Sequence, residues 1–424
     1  MKKVRNRFRN LAVLVLFLSV FILIPGAFSG DSPEEIYRGG YLQLKRAEQS
    51  FYTRNYEKAL ADYESVEKEL RGIQENSPDW SPDLIEAQLE KCRKRIAETG
   101  KLLAENKSWE KPLKVHFIDV GQGDAILIQC PDGTTLLIDG GKIWCYTFLG
   151  DYLRRSGVED IDYLIISHPH GDHYGGLIKI LKTFKVDTIL VSGQEDTTEH
   201  YQRFMEMVES LKDVKYTKAR AGDKYSFGEV ELLIMHPSSQ LSDSVNNCSI
   251  IAKLIYGNES FLFTGDAEED AELETIARGY NMKSTVLKVA HHGSRTSTDQ
   301  YFLSRVSPRE AVICVGENNF YGHPTEQVLR RLKRGGIKIY RTDLDGTILY
   351  LSNGREHRVE LPGKAVYPEY DIPAENIGKA IANRETLIYY KPREELARRI
   401  PPEDRIYFDT SADAETAGYR RYWY

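Results

Sequence analysis

Ser167-His168-Pro169-His170-Gly171-Asp172-His173-Tyr174-Gly175-Gly176 decides how this chain is read. The run follows an apolar, strand-like Tyr163-Leu164-Ile165-Ile166 and leads into a helix-like run from Leu177. Three histidines and an aspartate this close together are hard to explain as packing. Imidazole is a frequent metal ligand, and a carboxylate beside it suits a divalent cation of intermediate hardness. In extended chain, residues two apart point the same way, so His168 and His170 share a face. Asp172 and His173 turn inward as the helix begins, so one loop can serve two neighbouring cations. The alternative is a plain polar turn, but turns rarely cluster ligands in this way.

Working outward, from Lys114 the chain has short β runs separated by Gly and Asp turns. Val115–Val120, Ala125–Cys130 and Thr135–Ile138 read as strands, with Pro131-Asp132-Gly133 as a hairpin turn. The pattern H-x-H-x-D-H after a strand resembles the metallo-β-lactamase hydrolase superfamily. Val115-His116-Phe117-Ile118-Asp119-Val120-Gly121-Gln122-Gly123-Asp124-Ala125 looks like the opening of the hydrolase domain attached to ComEC-type DNA-uptake channels. That group also carries N-N-x-S, T-G-D, H-H-G-S and N-x-Y-G-H-P segments. Here they read Asn246-Asn247-Cys248-Ser249, Thr264-Gly265-Asp266, His291-His292-Gly293-Ser294 and Asn319-Phe320-Tyr321-Gly322-His323-Pro324, in the expected order.

The resemblance implies an α/β fold, the αββα sandwich of the metallo-β-lactamases, over residues 112–362. It also implies two divalent metal ions, zinc or manganese, activating a water for attack. His168, His170 and a third ligand would hold the first; Asp172 and His173 would hold the second, with Asp266 bridging. His291 or His292 would complete the second site, and the position before glycine favours His292. Where the superfamily supplies a further histidine this chain has Asn246-Asn247-Cys248-Ser249, so Asn247 is the expected ligand. A carbonyl ligand there is harder than imidazole and favours manganese. Cys248 could offer a thiolate, although a small buried thiol fits it better. Asp172 is also expected to act in catalysis. His323 would contact phosphate or protonate the leaving group. Asp139, at the end of Leu137-Ile138, either orients a ligand imidazole or simply serves a turn. Ser294, Arg295 and Thr296 are candidate phosphate donors, and Lys333, Arg334, Lys338 and Arg341 form a local basic cluster or a solvated face. His116, His200, His236 and His357 have no partner in sequence and read as structural.

The chain has 424 residues, 41% apolar and 28% charged, enough for two or three globular domains. A net charge of −6 gives no global pull toward nucleic acid. Cys92, Cys130, Cys145, Cys248 and Cys314 form no C-x-x-C pair and no disulfide framework. Residues 1–29 combine a basic start, an apolar Leu11–Ile24 and an A-x-S-like break, the layout of a secretory signal peptide. An uncleaved membrane anchor is the alternative; either places the remainder outside the cytoplasm, secreted, periplasmic or tethered. Residues 31–105 read as a small all-α domain. Ala47, Phe51, Tyr56, Ala59 and Tyr63 suggest a tetratricopeptide-like hairpin, backed by a helix over Pro82–Thr99. Such a hairpin is a spacer or a protein-partner surface, and Asn106–Pro112 reads as linker. Residues 375–424 resemble a small α+β Ada-type zinc module, but Tyr390, Glu394 and Tyr422 stand at ligand positions and no cysteine follows Cys314. Without soft ligands a structural zinc is not expected.

The functional expectation is an exported metal-dependent hydrolase of phosphodiester bonds, with DNA as the leading substrate. A phosphorylcholine-esterase-like enzyme acting on small cell-surface phosphoesters is the second reading. A non-catalytic adaptor using the helical hairpin is the third.

Overall fold

In the computed structural model, residues 32–317, 319–391 and 394–422 are described, and the chain divides after Lys107 into two units. The basic and apolar segment read as signal peptide or anchor lies outside the described residues. Among the described residues, no helix is long and apolar enough to cross a membrane.

The first unit is helical: α1 (Pro33–Tyr52), α2 (Tyr56–Asn76) and α3 (Pro82–Lys107). Ser32 caps α1 in a reciprocal box with Glu35, and the Asn55 side chain accepts the Lys58 N–H to start α2. Ala47, Ala59 and Tyr63 are fully buried beside Leu70, Ile85 and Leu89, a continuous core between the three helices. Helix α3 runs beyond the expected Thr99, because Lys101-Leu102-Leu103-Ala104 are strong helix formers with no breaker among them.

The second unit opens with an eight-stranded sheet in the order β15-β14-β1-β2-β3-β4-β5-β6. Its strands are β1 (Leu113–Phe117), β2 (Ile126–Gln129), β3 (Thr135–Ile138), β4 (Asp160–Ile166), β5 (Lys185–Val191), β6 (Lys215–Lys218), β14 (Thr347–Ser352) and β15 (His357–Gly363). A seven-stranded sheet follows, ordered β13-β12-β11-β10-β9-β8-β7. It comprises β7 (Lys224–Phe227), β8 (Val230–His236), β9 (Ile251–Tyr256), β10 (Glu259–Phe263), β11 (Val286–Lys288), β12 (Glu310–Ile313) and β13 (Lys338–Arg341). Period-two alternation sorts their side chains. Phe261 and Phe263 of β10 point into a core shared with Val115, Phe117, Ile126 and Ile165 of the other sheet, whereas Leu262 points outward.

Helices α4 (Tyr146–Arg155), α5 (Gly171–Tyr174), α6 (Leu177–Thr183) and α7 (Glu199–Ser210) belong to the first sheet's side. Leu149, Leu153, Leu177 and Phe204 cover Leu137, Leu164 and Ile189 there. Helices α8 (Glu269–Ala277), α9 (Gln300–Val306) and α10 (Glu326–Arg334) cover the other sheet through Ala271, Phe302 and Val328. The result is the four-layer αββα sandwich.

A four-stranded sheet closes the unit, ordered β18-β16-β17-β19, from β16 (Ala380–Asn383), β17 (Ile388–Tyr390), β18 (Arg405–Phe408) and β19 (Arg420–Arg421). Tyr390 and Tyr422, at two of the ligand positions the Ada resemblance implies, stack at 5.3 Å between centroids. The module is joined to α4 by buried polar contacts. Tyr146 Oη donates to Asp404 Oδ2 at 3.2 Å and accepts from Asn383 Nδ2 at 2.9 Å.

Parallel runs position the site. Strands β3 and β4 run parallel in one sheet, and β10, β11 and β12 run parallel in the other. Their carboxyl ends meet at one edge, where crevices in α/β sheets form.

Candidate metal centre

Four of those strand ends carry the cluster. Asp139 follows β3, His168–His173 follow β4, Asp266 follows β10 and His292 follows β11. The ends are shaped by close backbone approach. At Gly123 φ is +130°, and a Cβ would lie 2.2 Å from the Asp172 carbonyl oxygen, so only glycine fits. Asp124 N–H then donates to that carbonyl at 3.2 Å, tying the loop after β1 to the ligand loop. His291 and His292 both take positive φ, 49° and 52°, an uncommon conformation that turns the chain after β11 and buries His292.

Ligand atoms lie within 4.8 Å of one another in a buried group of Asp124, Asp139 and His173 and in the two sets that form the candidate site: His168, His170 and Asp266, and Asp172, His173 and His292. Asp266 Oδ2 stands between them, 3.9 Å from His168 Nε2, 3.3 Å from His173 Nε2 and 3.4 Å from His292 Nε2. His292 is the histidine of the second set; His291 is partly exposed at the cleft, its Nδ1 3.3 Å from Glu268 Oε1 and its Nε2 3.9 Å from Asp266 Oδ2. Asp139 accepts from Ser167 N–H (2.8 Å) and Ser167 Oγ (2.6 Å), and takes the Nδ1–H of His173 at 2.8 Å. The Cys314 carbonyl lies 2.8 Å from His292 Nδ1 and likewise takes its proton. Both contacts place the Nδ1 proton away from the cluster and turn Nε2 toward it, where a bound cation would replace the Nε2 proton.

The electrostatics of the cluster favour positive charge between its ligand atoms. Burial disfavours charge on His173 and His292, yet both are pulled well above the usual histidine range. Asp266 and Asp139 do this for His173; Asp266, Asp124 and Asp172 do it for His292. Burial opposes ionisation of Asp266 too, but these two imidazoles hold it well below the usual carboxylate range. The nitrogens thus take protons because the carboxylates demand positive charge. His173 Nε2, His292 Nε2 and Asp266 Oδ1 are also buried without hydrogen-bond partners. Orphaned donors of this kind in a negative field fit divalent cations.

Several expected residues sit elsewhere. Asn247 is not a ligand: its Oδ1 accepts the N–H groups of Glu268 (3.0 Å) and Ala271 (3.3 Å), starting α8. Ser249 Oγ accepts the Asp266 N–H at 3.0 Å, so the Asn246–Ser249 segment braces the bridging aspartate from behind. Manganese therefore gains no preference over zinc from an asparagine ligand. Cys248 is a buried thiol directed at the Ser242 carbonyl, and all five cysteines are free. Ser294 is turned into its own loop, 3.0 Å from Thr296 Oγ1, and neither it nor Arg295 lines the cleft at the cluster. Lys333 and Arg334 are exposed on α10, and Arg341 pairs with Asp343. His323 does line the cleft, beside Gln122 and Tyr321. Burial, then His291 and His292, push it down to about 4, so it is a neutral imidazole at pH 7.

Sequence reading missed Asp124 and Lys288. Lys288 is fully buried; its Nζ is ion-paired with Asp124 and donates to the Gly265 carbonyl at 2.8 Å. Its only signal was a lysine inside the apolar strand Val286–Val289, four residues before His292. His116 and His236 are structural as expected, bonded to Tyr152 and the Ser249 carbonyl, and His357 pairs with Glu259. His200 instead lines a cavity next to the cluster.

Comparison with known proteins agrees with this fold. Residues 118–317 match the metallo-beta-lactamase superfamily. ComE operon protein 3 of Bacillus subtilis is 30% identical over 275 residues, 61% of this chain and 35% of that protein. Competence protein ComA of Neisseria gonorrhoeae is 30% identical over 57% of this chain and 32% of its own length. Recombination protein 2 of Haemophilus influenzae is 32% identical over 57% of this chain and 29% of its own length. The chain thus spans about a third of the length of these relatives.

Proposed function

We propose that the metallo-β-lactamase domain carried by this chain is a binuclear metal-dependent hydrolase of phosphodiester bonds, with nucleic acid as its substrate. The observation that carries this reading is the pair of ligand triplets that meet at Asp266, with the unpartnered Nε2 atoms of His173 and His292 turned toward it. Zinc or manganese bound there would lower the pKa of a shared water and neutralise charge developing on attack.

The chain's own residues have separable tasks. Asp139 and the Cys314 carbonyl fix the tautomers of His173 and His292, so neither ring rotates. Lys288 offsets the charge of Asp124, which would otherwise add to the acidic field behind the cluster. His323, neutral and at the open side beside Tyr321, can hydrogen-bond a phosphoryl oxygen or the leaving group. Likeness to competence and recombination proteins supports nucleic acid as the substrate class. The basic then apolar segment at Lys2–Ile24 supports an extracytoplasmic location.

Metal analysis of the purified protein and of His170→Ala tests the site; about two equivalents, reduced in the variant, are expected. Incubation with single- and double-stranded DNA in manganese or zinc tests the substrate. Release of no product would sink the nuclease reading. Hydrolysis of bis-p-nitrophenyl phosphate without action on polymers would instead identify a small-phosphoester enzyme. A protein that binds no metal and gains no thermal stability from either ion would be an adaptor.

A further inference from the structure

A cavity of about 470 Å³ adjoins the metal cluster and is walled on one side by the C-terminal module. The size is that of a small-molecule site. Ile178, Phe204 and Met207 line it from α6 and α7, and Leu387 and Ile388 line it from the start of β17. Gly171, Asp172 and Tyr321 border both this cavity and the cleft holding the ligands, so the two are continuous. The rim is cationic. Lys142 lies 6.0 Å from the centre of the Tyr321 ring and forms no ion pair among the described residues. Arg203 on the same lining pairs with Glu199, and the lining's two lysines and two arginines outnumber its two carboxylates, Asp172 and Glu385. The wall is firmly attached: Lys182 bonds Glu385 at 2.6 Å, and Asp404 reaches both Tyr146 and Lys179.

We propose that this cavity receives one nucleoside of a single-stranded nucleic acid whose adjoining phosphodiester lies at the metal cluster. The C-terminal module is thereby part of the substrate site. The inference rests on the phosphodiester reading above and adds where the strand binds. Apolar walls with the exposed Tyr321 at the border with the metal cleft suit the face of a base, and the excess of cations on the lining suits the flanking phosphates. A base inside such a cavity is unpaired, so single strands are selected over duplex.

Binding of a fluorescein-labelled phosphorothioate oligothymidylate, which resists cleavage, to the metal-loaded protein, followed by anisotropy, tests this. The intact protein is expected to prefer the single strand to a duplex. Met207→Trp, which fills the cavity, and Lys142→Glu, which reverses the rim charge, should each weaken binding about tenfold or more. If Met207→Trp lowers the melting temperature, Leu387→Glu on the opposite wall carries the decision. Absent binding, equal binding by the variants, or displacement by short-chain phosphatidylcholine but not by unlabelled oligonucleotide would overturn the proposal. Hydrolysis of bis-p-nitrophenyl phosphate by the intact protein needs no nucleoside and tests the phosphodiester reading separately. Hydrolysis without oligonucleotide binding refutes the cavity alone, and binding without hydrolysis refutes the hydrolase alone.

Discussion

Replacing Lys288 by methionine removes a cation that the chain itself buries behind the cluster. Asp124 and Lys288 each expose 1% of their surface. Burial opposes ionisation of both, yet Lys288 holds Asp124 below the usual carboxylate range, and Asp124 raises Lys288 above the lysine range. Two unit charges about 3 Å apart attract by roughly 5 kcal/mol at an effective dielectric near 20. Loss of one partner strands the other, and measured penalties for broken buried pairs are about 3–5 kcal/mol. Lys288→Met also removes the donor to the Gly265 carbonyl, worth about 1 kcal/mol. We expect Lys288→Met to destabilise the second unit by about 3–5 kcal/mol and Asp124→Asn by a similar amount. The double variant should lose about 1–2 kcal/mol, an interaction energy of about 3 kcal/mol or more. In a Trp80→Phe background the remaining tryptophans lie beyond Lys107, so their fluorescence in urea reports this unit. Asp124's contribution is present above the unfolded carboxylate pKa and Lys288's below the unfolded lysine pKa, so the cycle is flat between about pH 6 and 9. A loss under about 1 kcal/mol for Lys288→Met, or strict additivity in the cycle, would refute the reasoning. His173 and His292 would then suffice as counter-charges.

Three further outcomes follow from the same geometry. Asp139→Asn no longer holds the His173 tautomer, so metal affinity should fall about 10- to 100-fold in a chelator competition; unchanged affinity would make Asp139 a turn residue only. Gly123→Ala forces a Cβ onto the Asp172 carbonyl, and should cost about 2–4 kcal/mol together with metal content; a fully loaded, equally stable variant would contradict that. His357 is hydrogen-bonded to Glu259 and paired with Glu310, which raise it to about 9. Its stabilisation is therefore full below the unfolded pKa of about 6.5 and fades as pH rises through 9. His357→Gln should cost about 2 kcal/mol at pH 6 and almost nothing at about pH 10, and a pH-independent loss would show that packing dominates.

How legible each part of the site was depended on how local its cause is. His168, His170, Asp172 and His173 fall within one strand-to-helix turn, and their ligand density is visible without any tertiary contact. Asp139 was open between two roles, because a strand-ending aspartate looks the same whether it bonds a distant imidazole or its own turn. Asn247 was misassigned for a related reason. A carbonyl oxygen reads as a ligand until its acceptor capacity is seen to be filled by the first N–H groups of α8.

The alternation that builds two sheets, the covering helices and the ligand loop are dictated locally, since hydrophobic period and ligand spacing act over a few residues. Only the tertiary structure decided which atoms share the cluster. Asp124, Lys288 and Asp266 come from separate strand ends, and their charges matter only at distances that the folded sheets impose. It also decided that the C-terminal module walls a cavity at the metal cluster. Leu387 and Phe204 are remote in the chain, and the space between them exists only once Tyr146, Asn383 and Asp404 have joined the module to α4.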